Sequence, residues 1–161
     1  MKASEPKPLD RLDRRILAVL QQQGRISYVE LADKVGLSST PCMERVKRLE
    51  RDGYIEGYYA RLNPALMGHE LLVFVEISLA HQSPQAFSDF TRAVRELPYV
   101  LECHLVSGDS DYLVKARIKD MSQYRTLLGD MLLQLPGVKN SKSYIVMEEV
   151  KESLELPLEE R

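Results

Sequence analysis

Ser38, Ser39 and Thr40, followed by Arg45, Lys47, Arg48 and Arg51, are the side chains whose chemistry is most legible in this sequence. Hydroxyls and the amides of a helix N-terminus hydrogen-bond phosphate oxygens, while guanidinium and ammonium groups neutralise backbone charge and reach base edges in a major groove. Arg25, further upstream, adds a candidate phosphate contact. Any solvated helix presents charges too, so the reading depends on the elements that hold these residues.

Those elements read as three helices. Leu9 to Gln23 places Leu9, Leu12, Ile16, Leu17 and Leu20 at three- and four-residue steps, with acid at Asp10 and Asp13 in the first turn. Ser27 can cap a second helix over Tyr28 to Val35, with Glu30 placed to complete a capping box. Ala32, Gly36 and Leu37 then suit a tight turn between two closely crossing helices, a helix-turn-helix signature. Ser38 or Ser39 caps the third helix, which buries Cys42, Val46 and Leu49 and turns its cations outward. Tyr54 to Leu62 is rich in aromatic and β-branched residues and reads as an extended connector or short wing.

The charge distribution agrees with two partners. The net charge of −2 divides into +3 over residues 1–64 and −5 over residues 65–161. Cys42 and Cys103 lie 61 positions apart and His69, His81 and His104 are scattered, so neither a zinc site nor a disulfide is expected. No apolar run is long enough for a transmembrane helix, and Met1 to Asp10 lacks the apolar segment of a secretory signal; a cytoplasmic protein without membrane association is the expectation.

Beyond Asn63-Pro64 the period changes. Leu71, Val73, Val75, Ile77 and Leu79 alternate as a strand, and Pro84 to Leu97 switches to a helical period with Phe87, Phe90, Val94 and Leu97 inward. Strands Val100 to Val106 and Tyr112 to Ile118 flank Ser107-Gly108-Asp109-Ser110-Asp111, which on its own reads as a solvated hairpin turn. A helix from Ser122 to Leu135 presents Tyr124, Leu127, Leu128, Met131, Leu132 and Leu135, and a last strand is expected from about Ser141 to Glu148. A shift of 38 residues superimposes Leu97-Pro98 on Leu135-Pro136 and Val100 on Val138, giving βαβ twice. The fold class is therefore α+β: an N-terminal, winged-helix-like helix-turn-helix domain and a C-terminal ferredoxin-like βαββαβ domain. Phe74, Tyr144 and Val146 fall on the sheet face away from the helices, so pairing of two sheets in a homodimer is expected to cover them.

The segments LDRLDRRIL, GRISYVELADKVGLSSTPCMERVKRLERDGYIEGY, LLVFVEI, ECHLVSGDSDYLVK and LPGVKNSKSYIVMEEVK together resemble the Lrp/AsnC (feast/famine) regulators, from Leu9 to Lys151. The resemblance implies a tail at 1–8, a helix-turn-helix domain at 9–53, a hinge strand at 54–64, an amino-acid-binding and oligomerisation domain at 65–150 and a C-terminal tail at 151–161. It implies double-stranded DNA as partner, with Ser39, Thr40, Arg45, Lys47 and Arg48 foremost, and dimers assembling further, often to octamers. It assigns an amino-acid effector to the turn Gly108, Asp109, Asp111 and Tyr112. A zwitterion needs an anion for its ammonium, available from Asp109 or Asp111, and donors for its carboxylate, available from the turn's amides. Ser107, His104 and Tyr124 are candidate lining, though a sheet histidine is commonly just satisfied in place. The turn does not separate leucine from another small apolar amino acid.

The leading expectation is thus a DNA-binding transcriptional regulator of amino-acid metabolism, not an enzyme. Two alternatives remain at this level: a DNA-architectural protein without an effector, and an amino-acid-binding regulatory subunit of a metabolic enzyme. The second has no phosphate loop, metal cluster or catalytic pairing behind it.

Overall fold

Asp10 and Ser27 open the first two helices in the same way. Each accepts the amide of the residue three places on, Asp13 or Glu30, whose carboxylate takes the cap's own N–H. The computed structural model describes residues 7–158, except the side chains at positions 127, 128 and 130–133. It comprises two units: the chain up to Arg61 together with the segment from Lys151 onward, and Leu62–Val150.

In the first unit, α1 (Arg11–Gln22), α2 (Tyr28–Val35) and α3 (Ser39–Arg51) bury Ile16, Leu17, Leu31, Ala32, Val35, Cys42, Val46 and Leu49 as one core. Gly36 takes the left-handed conformation at φ +74° and ends α2, and Leu37 returns its N–H to the Ala32 carbonyl at 2.9 Å. Beyond α3, the amides of Tyr54 and Ile55 both close on the Leu49 carbonyl. The hinge strand expected over 54–64 does not form within this chain: the segment is irregular, because among the described residues of the unit no strand offers a ladder to pair with.

The segment 151–158, expected as a tail, is instead an arm against the helical unit. The side-chain amide of Gln21 donates to the Leu156 carbonyl at 3.2 Å and accepts its N–H at 2.6 Å; Arg61 pairs with Glu152 at 2.5 Å, and Leu158 packs on the helical core. Paired backbone groups and a half-buried leucine give the arm a place that LELPLEER, with no period, does not advertise.

The second unit is a four-stranded antiparallel sheet in the order β2-β3-β1-β4, from β1 (Leu71–Leu79), β2 (Val100–Leu105), β3 (Tyr112–Ile118) and β4 (Val138–Ile145). The helices α4 (Pro84–Arg95) and α5 (Met121–Gln134) complete the βαββαβ order. Val73, Val75, Ile77, Val114 and Ala116 form the buried face with Phe90, Val94, Leu97 and Leu135. The inward placement expected of Leu127, Leu128, Met131 and Leu132 lies outside the described side chains. β4 begins three residues earlier than expected and stops at Ile145, since an irregularity at Ser78/Leu79 brings Val138 opposite Leu79.

The opposite sheet face is not simply apolar. Phe74 is half-buried beside Tyr144, but around them lie Glu76, which accepts from the Tyr144 hydroxyl at 3.1 Å, Lys142, 5.0 Å over the Tyr144 ring, and Lys115, paired with Glu102 at 2.9 Å. Among the described residues no helix is long and apolar enough to cross a membrane, and no cluster of His, Cys, Asp or Glu could hold a metal ion.

Candidate nucleic-acid interface and effector loop

α3 owes its exposed strip to its period. With Cys42, Val46 and Leu49 inward, the positions opposite are Thr40, Glu44, Lys47 and Arg51, all exposed, with Ser38 and Ser39 exposed at the helix start. Ser38 is the N-cap residue by backbone, yet its side chain makes no capping bond, so its hydroxyl stays available beside the first-turn amides. Arg25 is exposed ahead of α2. Five of the expected contacts (Ser38, Ser39, Thr40, Lys47 and Arg51) therefore share the accessible start and outer strip of one helix.

Arg45 and Arg48 do not belong to that group. Arg45 reaches back to α1, with Nη1 2.6 Å from Asp10 and 2.7 Å from Asp13, and Arg48 Nη2 lies 2.5 Å from the other Asp13 oxygen. Asp13 has no solvent exposure. The Arg48 contact is an ion contact off hydrogen-bond geometry, and Arg48 Nε is buried without a hydrogen-bond partner among the described residues. The free cations expected at 45 and 48 are thus a clamp between helices, because a fully buried carboxylate is stable only when countercharge comes to it. The signal was present: Asp13 shares the inward face of Ile16, Leu17 and Leu20.

In the sheet unit, Ser107, Gly108 and Asp109 are exposed in the bend joining β2 to β3. Gly108 has φ +139°, a conformation that favours glycine. Asp111 is 8% exposed and fully engaged: its carboxylate accepts the Leu79 amide at 2.7 Å and the Gln82 side chain at 2.8 Å, its N–H donates to Ile77, and its carbonyl accepts from Val106. Tyr112, 5% exposed, stacks on Phe90 with ring centroids 4.2 Å apart and meets Phe87 edge-on. Tyr124 is half-buried against the same core. His104 pairs across the ladder with Leu113, on the face opposite Tyr112, and its ring lies 3.3 Å from Glu102.

The seven expected effector residues are therefore not one cluster. Ser107, Gly108 and Asp109 lie together at the surface; Asp111 and Tyr112 are the loop's structural footing; His104 and Tyr124 lie elsewhere. Beside the footing an open groove of about 950 Å³ runs between α4 and β2, lined in part by Phe87, Thr91, Arg95, Leu101, Leu105 and Tyr112. Cys103 also lines it, and burial pushes its thiol pKa up, as it does for Cys42 in the helical core.

Comparison with known proteins follows the same division. Residues 9–56 match the winged helix-turn-helix DNA-binding family, and residues 72–156 match the Lrp/AsnC ligand binding domain. The chain is 58% identical over 155 residues to the leucine-responsive regulatory protein of Escherichia coli K12, covering 96% of this chain and 94% of that protein. A transcriptional regulator from Neisseria meningitidis, solved in complex with L-Met, superimposes with a TM-score of 0.89 at 38% identity over 94% of this chain and 97% of that one. An AsnC family transcriptional regulator from Agrobacterium tumefaciens does so with a TM-score of 0.89 at 37% identity, over 93% and 97%. With a helix-turn-helix whose exposed strip is cationic and a ligand-binding sheet on one polypeptide, this chain belongs to the Lrp/AsnC family of transcriptional regulators.

Proposed function

We propose that this protein is a sequence-specific DNA-binding regulator of amino-acid metabolism whose assembly or DNA affinity is set by a small apolar amino acid such as leucine or methionine. The observation that carries the DNA half is the accessible run of Ser38, Ser39, Thr40, Lys47 and Arg51 on α3. Hydroxyls and first-turn amides would fix the helix on the phosphates, and Lys47 and Arg51 would lie along the groove. Arg25 extends the same contact.

The effector reading rests on Gly108 and Asp109. Asp109 is exposed and has no side-chain partner among the described residues, so it is the carboxylate free to meet an ammonium; Asp111 is already committed to Leu79 and Gln82. Leu105, exposed beside the loop, and the groove ending at Tyr112 supply an apolar wall for a side chain. The amino acids in the names of two relatives, leucine and L-Met, have the matching chemistry. Phe74 and Tyr144 on the uncovered sheet face support a homodimer through that face, and an octamer built from such dimers would give the effector an interface to act on.

Calorimetric titration of leucine and methionine, light scattering with and without each, and nuclease footprinting test the parts separately. Heat of binding, a change in scattering mass and a protected DNA site are expected. Absence of binding by both amino acids removes the effector half; absence of any footprint removes the DNA half.

A further inference from the structure

Two short polar side chains of the sheet unit capture the loop amides beside them. Asn63 Oδ1 accepts the N–H groups of Ala65 and Leu66, and Asp120 Oδ1 accepts those of Ser122 and Gln123. Side chains of this kind ordinarily close on open backbone nearby. The loop between β2 and β3 departs from that behaviour. It carries Asp109 and Asp111, yet the amides of Gly108, Asp109 and Ser110 make no hydrogen bond among the described residues.

Gln82 supplies the reason. Asp111 is buried and has no cation paired with it among the described residues, so its oxygens depend on neutral donors. Oδ2 takes the Leu79 amide at 2.7 Å, and Oδ1 takes the side-chain amide of Gln82 at 2.8 Å. Gln82 is itself exposed, in the connector between β1 and α4, and the connector holds its shape by other bonds: Ser83 caps α4 through the Ala86 amide, and Ala80 donates to the Gly137 carbonyl. Without Gln82, Oδ1 would be a buried acceptor lacking a donor, and the open amides nearest to it along the chain are those of the loop, ending at Ser110. Those amides are also the donors that the carboxylate of a zwitterion needs.

We propose that Gln82 is a positioning residue of the effector site: by satisfying Asp111 from outside the loop, it keeps the amides of residues 108–110 free for the carboxylate of a bound amino acid. The inference rests on the effector reading above and gives a role to a residue outside the loop. Gln82 acts through Asp111 and does not touch the ligand. Its influence is confined to the carboxylate end, because the ammonium falls to Asp109.

The test is calorimetric titration of the full-length protein with leucine and methionine, and with leucinamide and methioninamide, which keep the ammonium and the side chain but lack the carboxylate. Gln82→Met preserves the length of the side chain and removes the donor. It is expected to weaken binding of the two amino acids about tenfold, the scale of one hydrogen bond to a charged group, and to leave binding of their amides unchanged. The melting temperature should stay near wild type, since the Leu79 bond and both backbone bonds of Asp111 remain. Amide hydrogen exchange without ligand gives a second measurement, in which at least one amide among residues 108–110 is expected to slow in Gln82→Met. Unaltered exchange there overturns the proposal. So does wild-type affinity of the variant for both amino acids, or equal weakening of amino acids and amides, which a distorted loop would produce. Failure of the wild-type protein to bind either amino acid removes the effector reading, and this inference with it.

Discussion

Arg48 of α3 places its guanidinium 2.5 Å from the carboxylate of Asp13 in α1, a side chain completely shielded from solvent. Asp13 serves two elements at once, completing the capping box that starts α1 and drawing Arg45 and Arg48 onto it. Removing it strips the countercharge from Arg48, leaves Arg45 with Asp10 alone and takes the acceptor from the Asp10 N–H. Asp13→Ala is expected to cost about 3 kcal/mol, the scale of breaking a buried pair by deleting one partner. Urea denaturation of the helical unit measures it, and a loss within the error of the wild type would show that the clamp adds nothing.

Because Arg48 is engaged, its removal should act on folding more than on DNA. Arg48→Ala is expected to lower stability while leaving the salt dependence of DNA binding close to wild type. Lys47→Ala and Arg51→Ala are each expected to lower the slope by about 0.9 with little effect on stability. Paired melting curves and salt titrations distinguish the two classes; a flattened slope for Arg48→Ala alone would return that residue to the interface.

Acid should loosen the clamp from the Asp10 side. Burial pushes the Asp10 carboxyl up, but the Asp13 amide and the Arg45 guanidinium pull it down further, and its pKa lies below the usual value. A folded-state pKa below the unfolded value of about 3.9 gives stability that is present above that pH and lost as pH falls through the folded pKa. The helical unit should therefore lose stability below about pH 4, and Asp10→Asn should flatten that part of the profile.

At the other end of the pH scale, Tyr58 donates to Glu50 of α3 at 3.1 Å. Burial, then the hydrogen bond to Glu50 and its charge, raise the Tyr58 pKa to about 12. Its neutral form is stabilised, so the contribution is full below the unfolded value of about 10 and disappears as pH rises through 12. Ultraviolet titration should show one late tyrosinate, and Glu50→Gln should bring it earlier; a full set of ordinary tyrosines would remove this contact.

The loop between β2 and β3 offers a separation of roles between two neighbouring acids. Asp111→Ala leaves a buried Leu79 amide without its acceptor and is expected to cost roughly 1–3 kcal/mol. Asp109→Asn is expected to leave stability unchanged and abolish amino-acid binding by calorimetry. If the two variants behave alike, the ammonium role assigned to Asp109 is wrong.

The contrast between these acids shows what the sequence discloses and what it does not. The helices were legible because their signals are local: Ser27 and Glu30 form a capping box three residues apart, and Gly36 ends α2 at a positive φ. The alternation in Leu71 to Leu79 likewise names the buried face of β1 without any partner. Burial that depends on distant chain was not legible. Tyr112 looks like an effector contact until Phe90 is found stacked on it, and Asp111 looks like a free anion until β1 arrives to occupy it. Arg45 and Arg48 read as a cationic face because the carboxylate that claims them lies 32 and 35 residues away. The start of β4 shifted because an irregularity in a pairing leaves no mark in a single strand's pattern.

Arg61, the last residue of the helical unit before the chain leaves it, is ion-paired with Glu152, one residue after the chain comes back. In architectural terms the whole sheet unit is an insertion between two points of the helical one that this ion pair holds together. A fragment cut at residue 61 would forfeit the Leu158 plug, whereas joining 61 directly to 151 should yield a self-sufficient reading head.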